Sequence, residues 1–214
     1  MSARPWLRFE PPEHPERGSP LLRALADSLN AAGAAVIVRA GDDNLIRSRR
    51  ADDGPGPAYL VIVEGLPNLL HEFVHAALAG YLADDHGIDY GLIPFDVTKR
   101  AGRDRLWDEL ACCVVSCAYL PRERAAPWFS EQVGIQGAFF GLGDLEDDMQ
   151  PMFEMVDSAR AAHPGEFEAM LARAYAEVER RLRDVGAGPE LAQPVVRWSF
   201  DALWEGLRAA AQRS

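Results

Sequence analysis

Residues Leu66 to Ala83 read LPNLLHEFVHAALAGYLA, and within them stands His71-Glu72-Phe73-Val74-His75, an HExxH. On an α-helix, residues i and i+4 lie about 40° apart around the axis, so both imidazoles can offer a nitrogen to one metal ion. Glu72 follows His71 by about 100°, where a carboxylate can reach a water beside that metal without becoming a ligand. Two neutral nitrogen donors, an open position and an adjacent base form the donor set of a hydrolytic zinc ion. The competing reading is a pair of hydrogen-bonded core histidines. Leu69, Leu70, Phe73, Val74, Ala76, Ala77 and Leu78 make the helix apolar almost all round, as expected of an interior helix. Two His and a Glu in such a helix are costly to bury without partners, and a metal with ordered water supplies them.

Upstream, Gly65 and Pro67 punctuate the start of this helix, and Tyr59 to Glu64, YLVIVE, reads as the strand leading into it. Ala34 to Arg39, AAVIVR, is a second strand, and Leu45 to Arg49 a weaker third; Ala51 to Pro57 is a turn-rich loop. Before them Ser19 caps a helix with Pro20 at its first position, an apolar stripe of Leu21, Leu22, Leu25 and Leu29, and Gly33 as its stop. Residues 1–18 hold four prolines in a polar setting and are expected as an extended arm, tacked down by Trp6, Leu7 and Phe9.

Downstream, Asp84 to Arg103 mixes turn and apolar residues, as in a loop that lines a cleft. Helices are expected over Asp104 to Leu120, Arg122 to Phe140, Leu145 to Ala162, Glu166 to Val185 and Pro194 to Gln212, with Gly186 to Gly188 as a turn. A short strand-rich region followed by helices predicts an α+β fold, mostly helical. It would comprise a small N-terminal sheet, a central HExxH helix and a helical C-terminal half, with residues 19–214 as one domain. Such a sheet can lend an edge strand to an extended peptide.

The net charge of −11 argues against nucleic acid or an anionic membrane as partner and suits a neutral or basic polypeptide. The N-terminus lacks the apolar core of a signal peptide and no run of about eighteen apolar residues occurs, so the expected location is the cytoplasm. Cys112, Cys113 and Cys117 cluster within two helical turns and are expected to be reduced, buried thiols.

Two imidazoles do not complete a zinc site, so a third protein ligand is required. A histidine ten residues after His71 would mark a metzincin, but Tyr81 stands there. Asp85 and His86 follow the helix, and Asp108 and Glu109 lie on the next one. Glu109 is preferred because Glu109, Cys112, Cys113, Ser116 and Cys117 fall at i, i+3, i+4, i+7 and i+8, a stripe of small side chains that would let the metal helix approach.

HExxH followed by a Glu on a later helix resembles the gluzincin metallopeptidases. Within them, Asp108 to Pro121, DELACCVVSCAYLP, is similar to the Glu-bearing helix of the IrrE/ImmA-like peptidases, cytosolic proteases of which several cleave a repressor. The resemblance implies Zn2+ held by His71, His75 and Glu109, with Glu72 as general base. The expected substrate is then an intracellular protein or peptide. Tyr81, His86, Tyr90 and His163 qualify by residue type as donors to the developing oxyanion. The rival readings are a non-catalytic helical interaction protein with a structural metal site, a metal-dependent peptide-modifying enzyme, and redox iron in the same ligands.

Overall fold

A computed structural model describes residues 6–41, 44–84, 96–143 and 148–212. The chain runs through strand β1 (Leu7–Glu10), helix α1 (Pro20–Ala31), strands β2 (Ala34–Arg39), β3 (Leu45–Ser48) and β4 (Tyr59–Val63), and helix α2 (Leu66–Ala79). It continues through helices α3 (Arg100–Ala118), α4 (Arg122–Phe139), α5 (Gln150–Ala162), α6 (Glu166–Asp184), α7 (Pro189–Ala192) and α8 (Phe200–Ala211). This is an α+β chain. No helix among the described residues is long and apolar enough to cross a membrane.

The chain divides into two compact units, residues 1–87 with 176–194, and residues 88–175 with 195–214. The first unit is built on a sheet of order β1-β2-β4-β3, in which β1, β2 and β4 run parallel and β3 pairs antiparallel with β4. Strand alternation sorts the β-branched residues by face. Val36, Val38, Val61 and Val63, paired in register, are wholly buried. Ala35, Ile37, Leu60 and Ile62 form a separate apolar cluster with Leu45 on the opposite face. Helix α1 packs on β2, and α2 packs on β4 and α1. The cap of α1 is as expected: the Ser19 hydroxyl accepts the N–H of Leu22 at 3.2 Å.

Where an extended arm was expected, the described residues form a strand and then a 3-10 turn at Pro15–Gly18. Leu7–Glu10 pairs with Val36–Arg39 and adds an edge to the sheet. No hydrophobic periodicity announces it, because an edge strand four residues long is specified by its neighbour's backbone more than by its own side chains.

In the second unit, aromatic side chains make the core. Phe200 touches Phe129, Phe167 and Trp204, Trp204 touches Phe153, and Phe167 touches Trp107, with ring centroids 4.8–6.2 Å apart. Phe200 and Trp204 stack and the other pairs are tilted or edge-on, arrangements that suit the quadrupoles of the rings. Arg103 on α3 forks onto the Glu166 carboxylate at the start of α6. Three boundaries differ from expectation, the first being that α5 begins at Gln150 rather than Leu145. Helix α3 begins at Arg100 rather than Asp104, its first turn closed by Arg103, which donates to the carbonyls of Val97 and Thr98. The last helix begins at Phe200 rather than Pro194, because the Ser199 hydroxyl caps it through the N–H of Ala202, while Val196 donates to the carbonyl of Ala118.

Candidate metal centre

The first unit builds the HExxH from β4. Five residues of strand end at Val63, and Gly65 turns the chain directly into α2. A glycine has no side chain to cap a helix, and the cap comes instead from fifty residues upstream, where a Glu16 carboxylate oxygen accepts the N–H of Leu66 at 2.6 Å. Gly65 leaves room for it, since a Cβ there would sit 2.8 Å from that oxygen. Glu16 is itself held by a turn in which the His14 Nδ1 accepts the Glu16 N–H, and the His14 ring stacks on Phe9 of β1. A carboxylate at a helix N-terminus meets the positive end of the macrodipole. The far end of α2 falls at Ala79, four residues earlier than the apolar stretch suggested, because Gly80 turns left-handed at φ 80° and returns its N–H to the carbonyl of Ala76. Tyr81 therefore lies beyond the helix and is 67% exposed.

Between these ends, His71 and Glu72 are buried and His75 is half-buried. The Nε2 atoms of His71 and His75 lie 3.1 Å apart, with the rings edge to face. Zinc–nitrogen bonds are about 2.0–2.1 Å long, so two nitrogens at this separation subtend about 100° at a shared ion, close to a tetrahedral angle. The same distance also suits an N–H···N bond from one neutral ring to the other. The spacing of the two nitrogens is compatible with a shared zinc ion, which needs a third protein ligand besides them.

Glu109 and Asp108 belong to the second unit, adjacent and half-buried on α3. The small-residue stripe behind Glu109 is engaged within that unit. Trp128 of α4 donates to the Ser116 hydroxyl at 2.8 Å, and the Cys117 thiol donates to the carbonyls of Cys113 and Ala125. Ser116 and Cys117 thus let α4 approach α3. All three cysteines are buried free thiols, as expected, and burial pushes the Cys117 thiol up to about 12.

Asp85, His86 and Tyr90 lie outside the described residues. His163 is half-buried at the C-terminal end of α5, in the second unit. Two residues that sequence reading did not single out now bear on α2, namely Glu16 at its start and Arg181 at its end. The side-chain-free position Gly65 was the one signal pointing to the first; nothing in the sequence pointed to the second. In comparisons with protein-family models, curated proteins and solved structures, nothing matches this chain.

Proposed function

We propose that this chain is a zinc-dependent metallopeptidase of gluzincin type, hydrolysing peptide bonds of an intracellular protein or peptide. His71, His75 and Glu109 are its ligands and Glu72 its general base. The observation that carries the reading is the 3.1 Å separation of the His71 and His75 Nε2 atoms on a helix that also carries a buried glutamate. Titratable groups gathered and buried on one helix turn are candidates for a functional site.

When bound, zinc supplies Lewis acidity and brings the pKa of its water toward neutrality. Glu72 accepts a proton from the attacking water and passes it to the departing amide nitrogen. Glu72 is buried, which suits a proton transfer shielded from bulk water. His71 and His75 keep their Nε2 lone pairs convergent. The sheet's antiparallel edge strand β3 is of the kind that pairs with an extended peptide.

Metal analysis of protein purified without added metal, combined with Glu72→Gln, tests the proposal. About one zinc per chain is expected, lost in His71→Ala and His75→Ala. Glu72→Gln should keep zinc and fold while hydrolysis of unfolded-protein and peptide-library substrates drops by several orders of magnitude. Zinc with undiminished turnover in Glu72→Gln rules out the assigned base. Zinc with no hydrolysis in the wild type favours a structural ion, and iron favours redox chemistry.

A further inference from the structure

Arg181 lies on the C-terminal half of α6 that belongs to the first unit, between the buried Val178 and Leu182. Its Nη2 donates to the carbonyl of Ala76 at 3.0 Å, across 105 residues of sequence. That carbonyl follows His75 directly, and it already accepts the N–H of Gly80 that closes the helix. The neighbouring Arg180 behaves as a surface arginine does, forking between Glu177 and Asp184 on its own helix. Arg181 makes no such ion pair among the described residues, and its Nε is buried without an acceptor. Burial, and after it the nearby Arg180, lowers its pKa from the ordinary arginine value. A guanidinium has thus been desolvated to place one donor on the last turn of α2, where the negative end of the helix dipole favours a cation.

We infer that Arg181 is a positioning residue for the metal pair: by holding the last turn of α2 at the Ala76 carbonyl, it fixes the backbone from which His75 reaches the partner nitrogen of His71. Helix ends fray, and His75 stands only four residues before the last helical one, Ala79, so a second donor on the Ala76 carbonyl reinforces the closure that Gly80 makes. The His71 ring, a full turn further in, does not depend on that closure to the same degree. The 3.1 Å nitrogen separation is therefore sensitive to whether the final turn is closed. Arg181 touches no reacting atom in this scheme and acts through His75 alone. The inference rests on the reading of His71 and His75 as metal ligands.

The test measures zinc affinity against a chromophoric chelator, and the visible spectrum of the cobalt-substituted protein, in wild type, Arg181→Met and Arg181→Lys. Outer partners of metal ligands typically govern affinity by about ten- to a hundredfold, and a loss of that size is expected in Arg181→Met, with an altered cobalt spectrum. Arg181→Lys keeps the charge and a donor, and should recover most of the affinity and the spectrum. If Arg181→Met does not fold, Arg181→Gln is measured instead, and a loss of about tenfold is expected from a donor without charge. Wild-type zinc affinity and cobalt spectrum in Arg181→Met, or in Arg181→Gln if it replaces it, overturn the positioning role alone. Absence of zinc binding in the wild type overturns the metal reading itself, and the positioning role with it.

Discussion

The Glu16 carboxylate caps the first turn of α2 through the backbone N–H of Leu66, 2.6 Å away. The segment expected as a loosely attached arm thus supplies the start of the helix that carries HExxH. It does so with the sign of charge that a helix N-terminus favours.

Glu16→Ala should cost about 1 kcal/mol, the usual value of a lost N-cap, and lower the melting temperature by about 2–4 °C for a chain of this size. Gly65→Ala should cost a similar amount, since its Cβ would lie 2.8 Å from the same oxygen and push the carboxylate off the cap. The double variant should lose less than the sum of the two, because both remove one interaction. Thermal melts of the three proteins decide it, and full additivity would sink the cap.

If Glu109 is the third ligand, Glu109→Ala should weaken zinc by roughly ten- to a thousandfold with secondary structure intact, and Asp108→Ala and His86→Ala should not. Chelator competition on the three variants separates these outcomes. A Glu109 variant that keeps full zinc affinity while His86→Ala loses it moves the ligand to the segment after α2 and removes the gluzincin assignment.

The Arg103 guanidinium on Glu166 holds that carboxyl down at about 2, from an ordinary 4.5, with the Trp107 indole donor adding to the effect. A depressed folded pKa means stability that is fully present above the unfolded value and disappears as pH falls through the folded one. The melting-temperature gap between wild type and Glu166→Gln should therefore be widest near neutrality and close between about pH 4.5 and pH 2. A gap that stays constant down to pH 2 would show that the carboxylate's charge contributes nothing to the pair.

The three cysteines are fully buried, and the Cys117 thiol is raised to about 12 by that burial. Thiolate, the reactive form, is then scarce at pH 8. Native protein should resist a disulfide reagent over hours, and denatured protein should release three equivalents at once. Rapid labelling of the native protein would contradict the burial of α3.

Much of the fold was legible because it depends on local chemistry. The Ser19 cap, the glycine stops and the β-branched runs AAVIVR and YLVIVE place α1, β2 and β4 within a residue, since each signal sits on the segment it governs. HExxH spacing alone predicts that two imidazoles converge, for helical periodicity does the geometry, and the 3.1 Å separation follows from it. The last helix was drawn too early at Pro194 because apolar periodicity does not reveal which of several cap residues is used; Ser199 takes that role through its bond to Ala202. The use of the small stripe on α3 was equally undetermined. Small side chains permit close approach but do not name the partner, and Ser116 and Cys117 meet α4.

What the sequence determined by itself is thus most of the elements and the pair of nitrogens on α2. The tertiary structure alone decided that residues 7–10 join the sheet, that Glu16 caps the start of α2, and that Arg181 bonds to its last turn. The last two are contacts between segments 50 and 105 residues apart, each made by one charged side chain to a backbone group. Periodicity reports which face of an element is apolar, whereas the pairing of one charge with one backbone group is fixed only when the chain has folded around both.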